Sequence, residues 1–263
     1  MTLEIAVNSV ASALAAQEGG ASRVELCSAL ELGGLTPSPA TIAMVRERLR
    51  IPIYVLIRPR AGDFLYNDLE CEAMQRDIEY CAAQGCDGVV IGVLDADGHV
   101  DKARCRPLVD AAGKLGVTFH RAFDLTSAPG QALEDVIALG CERLLTSGGR
   151  ATALEGADSI RQWVEQAAGR IAIMPGAGVS AQNVAALKAA TGAGEFHASA
   201  KKALPSGMRW QPDGLRDMQG GEWRSEVDQV RALVAALAPS PPDQVRGRLQ
   251  PSPPAKPGER EQD

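Results

Sequence analysis

No stretch of this 263-residue chain approaches the roughly 20 consecutive apolar residues that a membrane-spanning helix requires. The N-terminus shows neither a basic leader nor a signal-like apolar core, so the sequence reads as cytoplasmic. Basic charge is not in excess. The formal net charge is −6 and the pI is near 5.2, which argues against nucleic acid or a membrane surface as partner. None of the six cysteines forms a CxxC pair, and a chain this long needs no disulfide staples, so reduced thiols are expected. No HExxH segment is present, and no GxGxxG follows the first apolar run.

What the chain does have is a rhythm. A short apolar run, a polar or glycine-containing stop and a longer helical segment recur about eight times. The runs are Leu3 to Val7, Ser22 to Leu26, Pro52 to Ile57, Gly88 to Ile91, Val117 to Phe119, Arg143 to Leu145, Ile171 to Met174 and Gly194 to Ala198. Helices are expected between them, with Asn67 or Asp68, Asp101, Ser180 and Ser225 as caps and Thr152 with Glu155 as a capping box. Cys71, Met74, Ile78 and Cys81 fall at helical spacing, as do Cys105, Leu108, Ala112 and Leu115, which places these thiols on packed faces.

Apolar strands alternating with helices imply a parallel sheet covered by helices. Eight such units fit a single-domain α/β fold, a (β/α)8 barrel of the TIM type over residues 1–238, better than an open Rossmann-like sheet. Residues 200–224 are expected to form a long functional loop, a lid or a subunit contact, carrying Met208, Trp210, Met218 and Trp223. Residues 239–263, with seven prolines and no aromatic residue, are expected to be a disordered tail.

In such a barrel the C-terminal ends of the strands share one mouth, and the polar stops all lie there. Because strand side chains alternate, Glu25 with Cys27, Arg58 with Arg60, and His197 with Ser199 each share a face. Four readings of this mouth stay open. Gly176 and Gly178 near a helix start, with Arg58, Arg60, Arg121, Ser147 and Ser199, suit a small anionic ligand, phosphorylated or carboxylated. Glu25, His120, Asp124 and His197 are candidate general acids and bases. Cys27, His120 and His197 offer soft and borderline donors for a metal such as Cu(I). Pure ligand binding without catalysis is the fourth. Schiff-base chemistry is disfavoured, since only Lys201 and Lys202 closely follow a strand and neither is at a buried strand centre.

Longer motifs stand around these residues. Val24 to Cys27, Glu31 to Ser38, Ile57 to Tyr66, Thr118 to Asp124, Leu145 to Gly148, Ala153 to Gly156, Met174 to Gly178 and Glu195 to Ser199 together resemble the CutC family of copper homeostasis proteins over about residues 3–237. The resemblance implies a TIM-type barrel, a cytoplasmic location and a self-associating subunit, a homodimer or homotetramer. It also implies a role in copper homeostasis with Cu(I) as a possible cofactor. The family pattern places a second cysteine near the end of strand one, where this chain has Ala6, so a two-thiolate Cu(I) site with Cys27 cannot form here.

Overall fold

The computed structural model describes residues 1–210 and 220–238. In chain order β1 (Thr2–Val7) leads to α1 (Val10–Glu18), β2 (Arg23–Leu26) to α2 (Pro39–Arg48), and β3 (Ile53–Leu56) to α3 (Asp68–Ala83). Then β4 (Gly88–Ile91) precedes α4 (Lys102–Ala112), β5 (Gly116–Phe119) precedes α5 (Pro129–Leu139), and β6 (Arg143–Thr146) precedes α6 (Ala157–Ala167). The last pair of units is β7 (Ala172–Pro175) with α7 (Val184–Thr191), and β8 (Glu195–Ala198) with α8 (Val227–Leu237). The sheet order is β7-β6-β5-β4-β3-β2-β1-β8, every pairing is parallel, and β7 lies beside β8. This is the expected (β/α)8 barrel.

Period-2 alternation explains how each strand divides its side chains. Leu3, Ile5, Val24, Leu26, Val55, Ile91, Phe119, Leu144 and Phe196 point one way and join the apolar layer between sheet and helices. Met74, Ile78 and Cys81 on α3, and Cys105, Leu108 and Ala112 on α4, supply the helical side of that layer; Cys71 and Leu115 are only partly buried. Burying these side chains contributes about 1.5–3 kcal/mol for each large one and holds the barrel together.

The opposite parity faces the barrel interior, and there the chain does something the apolar runs do not announce. A barrel of this type usually fills its centre with branched aliphatics. Here Glu4, Arg23, Arg143 and Glu195 share it with Leu56 and Val90, and Tyr54 lies across two glycines. The register sets Glu4 beside Arg23 on one side and His197 on the other, and Thr118 beside Arg143.

Four local expectations change. Thr152 Oγ1 accepts the Glu155 N–H as a capping box would, but α6 begins only at Ala157. Gly156 is pressed against the Ser147–Gly148 backbone, where a Cβ would come within 2.1 Å of the Ser147 carbonyl, so the first turn cannot run straight into a helix. Ser180 does not cap α7. Asn183 is the cap, and its side chain reaches back to accept the Ser180 N–H at 2.9 Å. Ser225 is the last residue of a strand, and Glu226 precedes α8. The long loop expected at 200–224 closes on itself, since β9 (Lys201–Leu204) and β10 (Glu222–Ser225) pair antiparallel. Met218 and the proline-rich tail lie outside the described residues.

Candidate functional site

The strand ends surround a cavity of about 430 Å³ whose wall includes Glu25, Cys27, Arg58, His120, Arg121 and His197. Gly178, Ser199 and Lys201 border it as well. Arg60, Asp124, Ser147 and Gly176, also expected at the mouth, are not part of that wall.

The reasons are local. β3 stops at Leu56, so the alternation that would pair Arg58 with Arg60 no longer holds beyond it. Arg60 turns outward to Glu70 at 2.6 Å and Asp63 at 2.9 Å. Asp124 accepts the backbone N–H groups of Ser147 and Gly149, the Thr146 hydroxyl and Arg121 Nε. With its oxygens so occupied it organises the loop after β6 and does not face a ligand. Ser147 is fully buried against it, and also receives Arg121 Nη2 at 2.8 Å. Gly176 has a spatial role. A Cβ there would lie 2.5 Å from Leu145 and 3.3 Å from His197, so glycine lets the imidazole settle.

Arg58 lines the cavity but its two terminal nitrogens are committed. They donate at 2.9 Å to the carbonyls of Leu32, Gly34 and Gly62, tying two loops together over the Phe64 ring. Only Nε is left without a partner among the described residues.

Glu25, His197 and Glu4 form the titrating part. His197 Nδ1 lies 2.8 Å from Glu4 Oε1, and Nε2 lies 3.6 Å from Glu25 Oε2. Burial alone would raise the Glu4 carboxyl, but the His197 hydrogen bond and Arg23 charge pull it down to about 2. Burial pushes Glu25 the other way, to about 7, with only partial relief from His197. Burial also disfavours the His197 imidazolium, yet the two carboxylates outweigh this and raise its pKa. Two carboxyls that face one imidazole are therefore driven apart, one fixed as an anion and one poised near neutrality.

Below them the ionic chain continues. Arg23 contacts Glu4 and Glu195, Arg143 contacts Glu195 and Glu142, and both guanidinium groups sit 5.1 Å from the centre of the Tyr54 ring. Glu4, Arg23, Arg143 and Glu195 were not legible as site residues. The available signal was a charged residue at an inward position within or beside a β-rich run, recognisable only once the inward parity of each strand is known.

His120 is a different kind of group. Burial, and then the charge of Arg58, lower it to about 3, so it is neutral at ordinary pH. Its Nδ1 accepts the Ala122 N–H at 3.1 Å.

Cys27 favours its neutral thiol form. Burial, with Glu25 and Glu31 nearby, pushes its thiol well above the usual range, and Sγ contacts the Val7 carbonyl. Among the described residues, the donor atoms of Cys27, His120 and His197 do not gather within 4.8 Å of one another. The residues present do not fit a three-donor copper site. Among the described residues the one group that does gather is Asp95, Asp97 and His99, largely exposed on the loop after β4, where the Asp95 carboxylate already accepts the N–H groups of Asp97 and His99.

The model of the CutC family matches residues 1–202. A family protein CutC from Xanthomonas axonopodis pv. citri is 59% identical over 90% of this chain and 99% of its own length. A mouse protein named copper homeostasis protein cutC homolog is 48% identical over 89% of this chain and 88% of its own. The crystal structure of a Streptococcus agalactiae protein named for copper homeostasis, CutC, superposes with a TM-score of 0.73 at 33% identity, covering 76% of this chain and 98% of that one.

Proposed function

The chain belongs to the CutC family, and we propose that its barrel mouth is an acid–base site for a small anionic metabolite. The observation that carries this reading is the array of Glu4, His197 and Glu25 ending in the cavity. A carboxyl pushed up to about 7 beside an imidazole whose pKa is itself raised is matched to proton transfer at neutral pH. Glu25 is the base and acid, His197 supplies positive charge beside it, and Glu4 fixes the orientation of the ring.

Arg121 and Lys201 sit on the cavity wall, with side chains or residues open to solvent, and supply the positive charge an anion needs. Ala177 and Ala200, on the loops after β7 and β8, hold positive φ of 80° and 45°. That conformation costs a non-glycine residue of order 1–3 kcal/mol and is retained where loop shape matters. The loops after strands seven and eight are where barrels of this type bind phosphate.

Thermal-shift screening with phosphorylated and carboxylated compounds tests the proposal by linkage. A rise in melting temperature that weakens on Arg121→Ala or Lys201→Ala supports it. No shift with any such anion rejects it.

Copper handling is the second reading. It rests on the name of the mouse relative alone. Anaerobic Cu(I) titration against a strong chelator separates the two readings. Copper retained by the protein in that competition favours it; no competition with the chelator removes it.

A further inference from the structure

We propose that His120 donates a hydrogen bond to a carbonyl oxygen of the ligand, across the cavity from Glu25. The ligand is then a small carbonyl compound with an acidic neighbouring C–H, and the reaction is proton transfer at that carbon. This rests on the acid–base reading above and names its substrate class.

The tautomer comes first. His120 Nδ1 accepts the Ala122 N–H, so in the neutral ring the proton resides on Nε2. That nitrogen has no partner among the described residues, although the residue is only 5% exposed and belongs to the cavity wall. A buried N–H without an acceptor is costly, and its retention calls for an acceptor that the chain itself does not supply. Arg58 Nε, on the same wall, is the second buried donor without a partner.

The ring is also held in place. Phe64 lies 4.8 Å and Phe119 6.1 Å from it, centre to centre. At Gly92, one residue beyond β4, a Cβ would come within 2.3 Å of His120 Cε1, so the absence of a side chain there makes the seat. The charged groups around the imidazole are Arg58, Arg121 and Asp124; the two arginines favour its neutral form and Asp124 opposes them. A rigid neutral imidazole is suited to an oxygen on which negative charge develops during reaction, rather than to permanent charge.

Glu25 stands on β2 and His120 just beyond β5, and both line the one cavity in which a ligand would sit. The Glu25 carboxylate takes the proton from the carbon beside the carbonyl. The C–H electron pair becomes the carbon–carbon π bond, and the carbonyl π pair moves onto the oxygen held by His120. Return of the proton to the same carbon gives exchange or inversion, with no co-reactant.

The test is deuterium exchange followed by ¹H NMR in D₂O, using the full chain with pyruvate, dihydroxyacetone phosphate and glyceraldehyde 3-phosphate as probes. Expected is loss of a C–H signal faster than in protein-free buffer, abolished by Glu25→Gln and slowed on the order of 10²–10³-fold by His120→Gln. If His120→Gln fails to fold, ¹⁵N-histidine spectra of the unaltered chain decide with oxalate, an enolate mimic. The His120 Nε2 proton moves if the inference is correct, and its standing still at oxalate concentrations that saturate the rise in melting temperature overturns it. Probes that raise the melting temperature without exchanging also overturn it, while leaving the anion site intact. If no probe or other anion shifts the melting temperature, both readings fall.

Discussion

His197 and Glu4 meet at 2.8 Å across the β1–β8 pairing, in a register that sets their backbones side by side. The contact joins the buried ionic chain of the barrel centre to the cavity, and it makes the proton affinity of the mouth depend on a residue that no ligand touches.

Glu4→Gln is therefore expected to act in two ways. It leaves His197 and Arg23 short of an anion deep in the barrel, and breaking a buried pair of this kind costs about 3–5 kcal/mol. It also returns the His197 pKa downward, which ¹⁵N titration reads directly. A variant as stable as the parent, with an unmoved His197 titration, would contradict the coupling.

The pH dependence of stability separates Glu25 from His120. Below about pH 4.5 Glu25 is protonated folded or unfolded and contributes nothing. From there to about 7 only the unfolded carboxyl ionises, so stability falls as pH rises, by up to about 3 kcal/mol in all. His120 has the opposite sign. As pH falls from 6.5 toward 3 only the unfolded imidazole gains a proton, so stability falls as pH falls. Melting curves from pH 4 to 8 should show Glu25→Gln gaining on the parent toward pH 7. His120→Asn should gain on it toward pH 4. Parallel curves would show that neither group is perturbed.

Arg58 and Arg60 share a motif but should differ on substitution. Arg58→Ala removes three bonds to backbone carbonyls, of which only the one to Gly34 is fully buried, and destabilises the chain by about 1–3 kcal/mol. Arg60→Ala loses half-exposed ion pairs, worth at most about 1 kcal/mol, and leaves anion binding unchanged. Chemical denaturation and thermal shift together check both.

Trp223 should report on the cavity. Lys201 Nζ sits 5.1 Å from its ring centre, and Lys201 lies on the cavity wall. An anion that draws Lys201 inward removes a cation from the indole, so Trp223 emission changes on binding and no longer does in Lys201→Met. Emission indifferent to a bound anion would separate the β9–β10 hairpin from the site. The hairpin also leaves Trp210 three-quarters exposed, and a change of emission on dilution would mark it as a subunit contact.

The sequence by itself determined the barrel. Strand and helix periodicity are local properties, as are the punctuating glycines and the Asn67 and Asp101 caps, and eight repeats of one unit admit few architectures. It also gathered Glu25, His120 and His197, because a polar stop after an apolar strand needs only strand direction to be placed at the mouth. Tertiary structure alone decided which of those groups meet. Arg60 and Asp124 turned away since the chain beyond a strand end follows its loop and not the strand's alternation. Glu4 joined His197 only because β1 pairs with β8, the far end of the fold, and no local pattern encodes that pairing. The same closure puts Arg23, Arg143 and Glu195 into a shared interior, where desolvation and opposite charge, neither of which exists in the extended chain, set one carboxyl near 2 and its neighbour near 7.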